Sequence, residues 1–223
     1  MKQINIGGLP FREMRSDDKY YVDKTLLIRD ILRSDDRGVY LFTRPRRFGK
    51  TTNLSTLDAF FNLEYKDNTW FDGLAISDFP EYERYKNAFP VIRVDLRAAK
   101  EHTYDDFIEG IRTVLSDTFE DHRYLLDSDD LRKPVRNLFE SLDNGDTDMR
   151  DLKSSLRTLS GALEKYHGRK VVLLIDEYDY IMSDTFESAD HRLILDFIRQ
   201  FLGQALKGND SLQLAYVTGI MQI

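Results

Sequence analysis

Val39-Tyr40-Leu41-Phe42-Thr43-Arg44-Pro45-Arg46-Arg47-Phe48-Gly49-Lys50-Thr51-Thr52 is the stretch that decides the fold. The apolar run Val39–Phe42 has the length of a short strand. The residues from Thr51 to Asn62 read as a helix with Leu54, Leu57, Phe60 and Phe61 turned inward. The connection between them ends in the pattern of a phosphate-binding loop, G-x-x-x-x-G-K-[ST], with Arg44 at the place of the first glycine. Gly49 lets the backbone pass close to a phosphate. Lys50 has the reach for β- and γ-phosphates, and the Thr51 hydroxyl can ligate Mg²⁺. The helix that opens there points its positive end and free N–H groups at the anion. Taken alone, a Gly-Lys-Thr triplet is weak evidence and reads more readily as an ordinary loop entering a helix.

The second element is Val171-Val172-Leu173-Leu174-Ile175-Asp176-Glu177. Five consecutive apolar residues fit a strand buried on both faces, and a carboxylate pair at its end is the Walker B pattern. Asp176 is the candidate to hold Mg²⁺ beside Thr51. Glu177 is the candidate base for an attacking water. Neighbours at a strand end point to different sides, so the two acids can divide these roles. A third candidate, Thr218-Gly219, follows the apolar run Leu212–Val217. Its hydroxyl could face the γ-phosphate or the water, and it could equally be a plain strand-end turn.

Around these motifs the pattern alternates strand and helix. Asp23–Arg33, Tyr104–Phe119 and Asp190–Leu206 show helical periodicity. So does the run Met149, Leu152, Leu156, Leu159, Leu163, Tyr166. Thr103 is a candidate N-cap with Asp106 three residues on. Val91–Leu96 alternates with period two, as a strand does. Ser34–Gly38, Asp67–Asp72, Asp127–Asp130, Leu142–Asp148 and Lys207–Asp210 read as loops. Alternating strands and helices imply an α/β fold, three layers with a mostly parallel sheet in the middle. Ligands of such sheets bind outside the carboxyl ends of the strands.

With 223 residues and no flexible linker in sight, one domain spanning 1–223 is expected. The net charge of −7 argues against general nucleic-acid or anionic-membrane binding. Against that background, Arg44, Arg46, Arg47 and Lys50 form a local basic island. Cysteine is absent, which excludes disulfides, thiolate metal sites and cysteine nucleophiles. No run reaches membrane-span length, and Met1–Gly8 has no signal-peptide core, so a cytoplasmic protein is expected. His102, His122, His167 and His191 are isolated in sequence and read as surface or capping residues.

Four blocks in order carry a resemblance: Tyr20–Thr25, Val39–Thr51, Leu173–Asp179 and Val217–Ile220. Together they resemble the bacterial AAA-ATPase-like family. The run Arg44-Pro45-Arg46-Arg47-Phe48 matches that family's own version of the loop. The resemblance implies a P-loop ATPase of the additional-strand type, with ATP and Mg²⁺ as ligands. It places the nucleotide against Arg46, Arg47, Phe48, Gly49, Lys50, Thr51 and Thr52. The metal falls to Thr51 and Asp176, and the catalytic roles to Glu177, Lys50 and Thr218. Members often continue into a PD-(D/E)xK nuclease-like domain; Glu64-Tyr65-Lys66 has the E-x-K spelling but follows a helix, so it is no match to that part. A nucleotide switch or scaffold with little turnover, and a nucleic-acid-associated module using the arginines, are the competing readings.

Pro45 has no N–H to offer a phosphate, so Arg46 or Arg47 is expected to compensate or to pair with an acid that orders the loop. The chain ends soon after an apolar strand, and folds of the implied kind carry a further strand on the other side of the loop strand. A chain incomplete at that edge is therefore expected to self-associate, for which a homo-oligomer is one form, or to be only marginally stable, and to bind ATP better than it hydrolyses it.

Overall fold

All six residues of β3 (Val171–Asp176) are buried, as a strand covered on both faces must be. The computed structural model describes residues 9–34, 38–45, 47–99, 103–180, 185–186 and 188–220. In it β3 sits inside a four-stranded sheet with β1 (Val39–Thr43), β2 (Val91–Asp95) and β4 (Leu212–Gly219). The order is β1-β4-β3-β2 and every pairing is parallel. The strand that leads into the basic loop therefore lies at one edge, with β4 and β3 on one side of it. Its other side carries no strand among the described residues, and Val39 and Leu41 are exposed there.

Alternate strand residues feed two cores. On one face Ile92, Val94, Leu173, Ile175 and Val217 pack under α5 (Tyr104–Glu120), α6 (Lys133–Asn144), α7 (Met149–His167) and α8 (His191–Leu206). On the other, Val91, Val172, Leu174, Leu214 and Tyr216 meet α1 (Phe11–Ser16), α2 (Leu26–Ser34), α3 (Lys50–Phe61) and α4 (Tyr82–Tyr85). This is the expected α/β/α sandwich. Burial of these side chains drives it, at about 25 cal/mol per Å² of apolar surface. No helix among the described residues is long and apolar enough to cross a membrane.

Several boundaries differ from the sequence reading. α2 starts at Leu26 and not at Asp23, because Asp23 is spent capping the turn: its Oδ1 accepts from Thr25 N and Thr25 Oγ1. β2 stops at Asp95, where a 3₁₀ turn, Leu96–Ala99, takes over. α1 and α6 are additional helices. The expected loop Leu142–Asp148 begins inside α6, which runs to Asn144 and ends at Gly145 in the left-handed conformation. Val135, Leu138, Phe139 and Leu142 form its buried stripe. Thr103 caps α5 as expected, its Oγ1 accepting from Asp106 N.

The histidines also need correction. His122 is buried, in the turn after α5, and its Nδ1 has no hydrogen-bond partner among the described residues. His167 Nε2 lies 2.8 Å from the Tyr124 hydroxyl, and His191 Nδ1 3.0 Å from Thr185 Oγ1. His102 lies outside the described residues. Burial, with the nearby Arg93 and His167 acting in the same direction, outweighs Asp121 and pushes His122 down to about 4. Between that value and the unfolded value of about 6.5, the unfolded chain binds more protons than the folded one. Stability contributed by neutral His122 is thus fully present above pH 6.5 and is lost as the pH falls towards 4. Urea denaturation at pH 7, 5.5 and 4.5 should show wild type losing more stability than His122→Phe across this window. Parallel losses in the two proteins would remove His122 as the cause.

Candidate functional site

The carboxyl ends of β1, β3 and β4 converge on one junction. Asp176, the last residue of β3, accepts from Thr51 Oγ1 at 2.9 Å through Oδ2, although the two residues are 125 positions apart. Its other oxygen, Oδ1, accepts a hydrogen bond from Thr218 Oγ1 of β4. Thr218 is fully buried and Thr51 is exposed, so one side of the carboxylate is clamped inward and the other faces the loop. Thr218 also accepts from Glu177 N at 3.4 Å, and its carbonyl accepts from Tyr178 N at 3.0 Å. Its hydroxyl is therefore directed at Asp176.

Glu177 lies just past the strand end with φ +53°, a left-handed conformation that costs about 1–3 kcal/mol for a non-glycine residue. Glu177 Oε1 is 3.3 Å from Lys50 Nζ, while Oε2 is buried without a hydrogen-bond partner among the described residues. Lys50, the first residue of α3, is buried and also donates to the Arg44 carbonyl at 3.1 Å. The loop is thus folded over its own lysine. Arg44 N donates to the Gly219 carbonyl at 3.1 Å, which fixes the loop's start to the end of β4. The Arg44 guanidinium rests over the Phe42 ring, 4.9 Å from its centroid.

Gly49 is the N-cap of α3 at φ +79°, a conformation glycine adopts without strain. Arg47 is also left-handed, at φ +67°, and exposed; Phe48 is exposed as well. The Thr52 carbonyl is occupied within α3, by Ser55 Oγ and Thr56 Oγ1. Arg46 lies outside the described residues. Gly219 has no room for a side chain: a Cβ there would stand 2.6 Å from Asp179 Oδ1. Asp179 Oδ2 in turn accepts from Ile220 N at 2.6 Å.

One residue was not singled out in the sequence. Arg97, in the turn after β2, is bonded to Asp95 through Nε (2.9 and 3.1 Å) and Nη2 (2.5 Å). Those bonds raise its pKa; burial opposes them, and the charges of Asp95, Asp176 and Glu177 reinforce them. Asp95 pairs in register with Asp176. Arg97, Asp95, Thr51 and Asp176 all line a cavity of about 340 Å³ between α3, β2 and α5. The sequence signal, an arginine two residues beyond a strand end, was too common to stand out.

The chain matches the family model described as "Predicted AAA-ATPase" over residues 5–223. It belongs to this AAA-ATPase-like family. The expected resemblance and the α/β fold thus agree with the match, and the family implies use of a nucleotide. A curated relative from Azotobacter chroococcum mcd 1, named "Uncharacterized protein in vnfD 5'region", is 27% identical over 227 residues. The match covers 98% of this chain and 37% of that protein, so the chain spans little more than a third of that relative's length. No solved structure matches the chain.

The clamp on Asp176 has an unequal energetic content on its two sides. Thr218→Val strands a buried carboxylate oxygen and should destabilise the protein by about 1–3 kcal/mol. Thr51→Val removes only the bond from an exposed hydroxyl at the cavity that both residues line, and should cost less. Chemical denaturation in the absence of nucleotide measures both; a larger loss for Thr51→Val would invert this reading of the junction.

Proposed function

We propose that this member of the AAA-ATPase-like family binds ATP with Mg²⁺ at the α3 N-terminus and Asp176, and hydrolyses it to drive a conformational change. The hydrogen bond between Thr51 Oγ1 and Asp176 Oδ2 is the observation that carries the reading. It brings a hydroxyl and a carboxylate to one point beside free helix N–H groups. Hard oxygen donors of this kind suit Mg²⁺, which takes one or two protein ligands and fills its remaining positions with water and phosphate oxygens.

Thr51 and Asp176 would hold the cation, which supplies charge neutralisation at the phosphates. Lys50 supplies a further positive charge, and the N–H groups of Gly49–Thr52 orient the phosphate chain. Glu177 is the proton acceptor for the attacking water: the water oxygen bonds to the γ-phosphorus as the bond from that phosphorus to the ADP oxygen breaks, and ADP leaves. Thr218 acts through Asp176, as a positioning residue. Arg47, and Arg46 with it, would supply positively charged donors at the loop entrance, where Pro45 has no N–H to offer.

The ion pair between Lys50 and Glu177 favours a second reading, a nucleotide switch with little turnover, because it engages the base before any water is activated. Two variants separate the readings. Lys50→Ala should lose most of the thermal stabilisation given by saturating ATP, and equal shifts for wild type and variant would refute the site. Glu177→Gln should keep ATP binding while any turnover falls by about 10²–10⁴-fold. Unchanged turnover would leave Glu177 without a role as base.

A further inference from the structure

The block Tyr20–Thr25 belongs to the family resemblance, yet nothing in the nucleotide chemistry above uses it. The structure shows where it goes. The N-terminal arm is laid along α3: Phe11 N donates to Ser55 Oγ at 3.0 Å, and the Tyr21 hydroxyl lies 3.5 Å from Thr56 Oγ1. Ser55 and Thr56 are only about 9 Å along the helix from Lys50, at 1.5 Å rise per residue. The arm is therefore held close to the end of the helix where phosphate is expected.

Within the arm, the side chains of residues 23 and 25 are hydrogen-bonded, while Lys24 is held through its carbonyl, which accepts from Leu27 N at 3.0 Å, and its side chain is exposed. Asp23 Oδ1 accepts from Thr25 N and Thr25 Oγ1, and Asp23 Oδ2 accepts from Ala75 N at 2.7 Å. Thr25 is fully buried, and its hydroxyl also accepts from Ile76 N at 3.2 Å. Between them Lys24 is exposed, and its Nζ stands 3.4 Å from the point a Cβ would occupy on Gly49. A second ammonium group therefore reaches the loop glycine from a different segment of the chain. Unlike Lys50, which is buried and engaged with Arg44 and Glu177, Lys24 lies on the solvent side.

We propose that Lys24 is a nucleotide-binding residue whose ammonium contacts the phosphate chain held by the N–H groups of Gly49–Thr52, and that it thereby couples nucleotide binding to the docking of the N-terminal arm. This deepens the reading of the loop as an ATP site and rests on it. The chemistry favours it: an ammonium is a strongly hydrated point charge suited to phosphate oxygens, and here it adds to a helix N-terminus already poised for an anion. By linkage, whatever favours the nucleotide through Lys24 must equally favour the docked arm.

The test uses wild type, Lys24→Ala, Lys24→Gln, Lys24→Arg and Lys50→Ala. ATP affinity is measured by titration calorimetry at low and high salt, and backbone hydrogen exchange of residues 21–28 with and without saturating ATP. Lys24→Ala and Lys24→Gln should bind ATP about 10- to 100-fold more weakly at low salt, the range for a hydrogen bond to a charged group. Their salt dependence should be shallower, and Lys24→Arg should recover most of the loss. Melting temperatures without nucleotide should stay unchanged, because the side chain is exposed. ATP should slow exchange across residues 21–28 in wild type and much less in Lys24→Ala at saturation. Wild-type affinity in both Lys24→Ala and Lys24→Gln, with Lys50→Ala binding poorly, would overturn the role of Lys24 and leave the loop site standing. A lowered melting temperature with unchanged affinity would make Lys24 a structural residue and overturn the proposal too. Absence of ATP binding by wild type would overturn the loop reading itself, and Lys24 with it.

Discussion

Asp176 is held by two hydroxyls from two different elements, and the layout of the sheet's carboxyl end depends on that clamp. Thr218 reaches it from β4 and Thr51 from the first turn of α3. One carboxylate thus ties together the strand that ends in acids, the neighbouring strand and the helix behind the loop. Removing its inner partner strands a buried acceptor, whereas its outer partner is an exposed hydroxyl beside the cavity that both residues line. The asymmetry gives the carboxylate a fixed inner side and an outer side at the cavity, the side from which the proposed metal would be held.

The loop follows from the same junction. Arg44 is bonded to the end of β4 through its N–H, and its carbonyl receives the Lys50 ammonium. The loop therefore arches between two fixed points, with Gly49 supplying the left-handed turn into α3. Lys50 and Glu177 neutralise each other across the arch. A phosphate arriving at the helix end would compete for Lys50 and so release Glu177, which connects binding to the freeing of the candidate base.

Much of this was legible in the residues. The apolar run Val171–Ile175 announced a strand buried on both faces, and β3 is one. The loop and the two acids sit at the ends of parallel strands, where the alternating pattern put them. Other features were not legible, for physical reasons. Arg97 became notable only when the parallel register set Asp95 beside Asp176, a long-range fact with no local trace. His122 looked isolated because burial is a property of the packed turn and not of its neighbours in sequence. Helix α6 carried a periodic stripe, but it is short and polar between its apolar positions. Lys24 had no visible partner, since the docking of the arm on α3 is decided by Phe11, Tyr21 and Phe71 packing together.

The central claim is that Thr51 and Asp176 form a shared metal and nucleotide site. It is tested most directly by the ATP affinity of wild type and Asp176→Asn with Mg²⁺ and with EDTA. The account predicts that Mg²⁺ tightens ATP binding to wild type by at least about tenfold and tightens binding to Asp176→Asn far less. Equal tightening by Mg²⁺ in both proteins, or none in wild type, would contradict it.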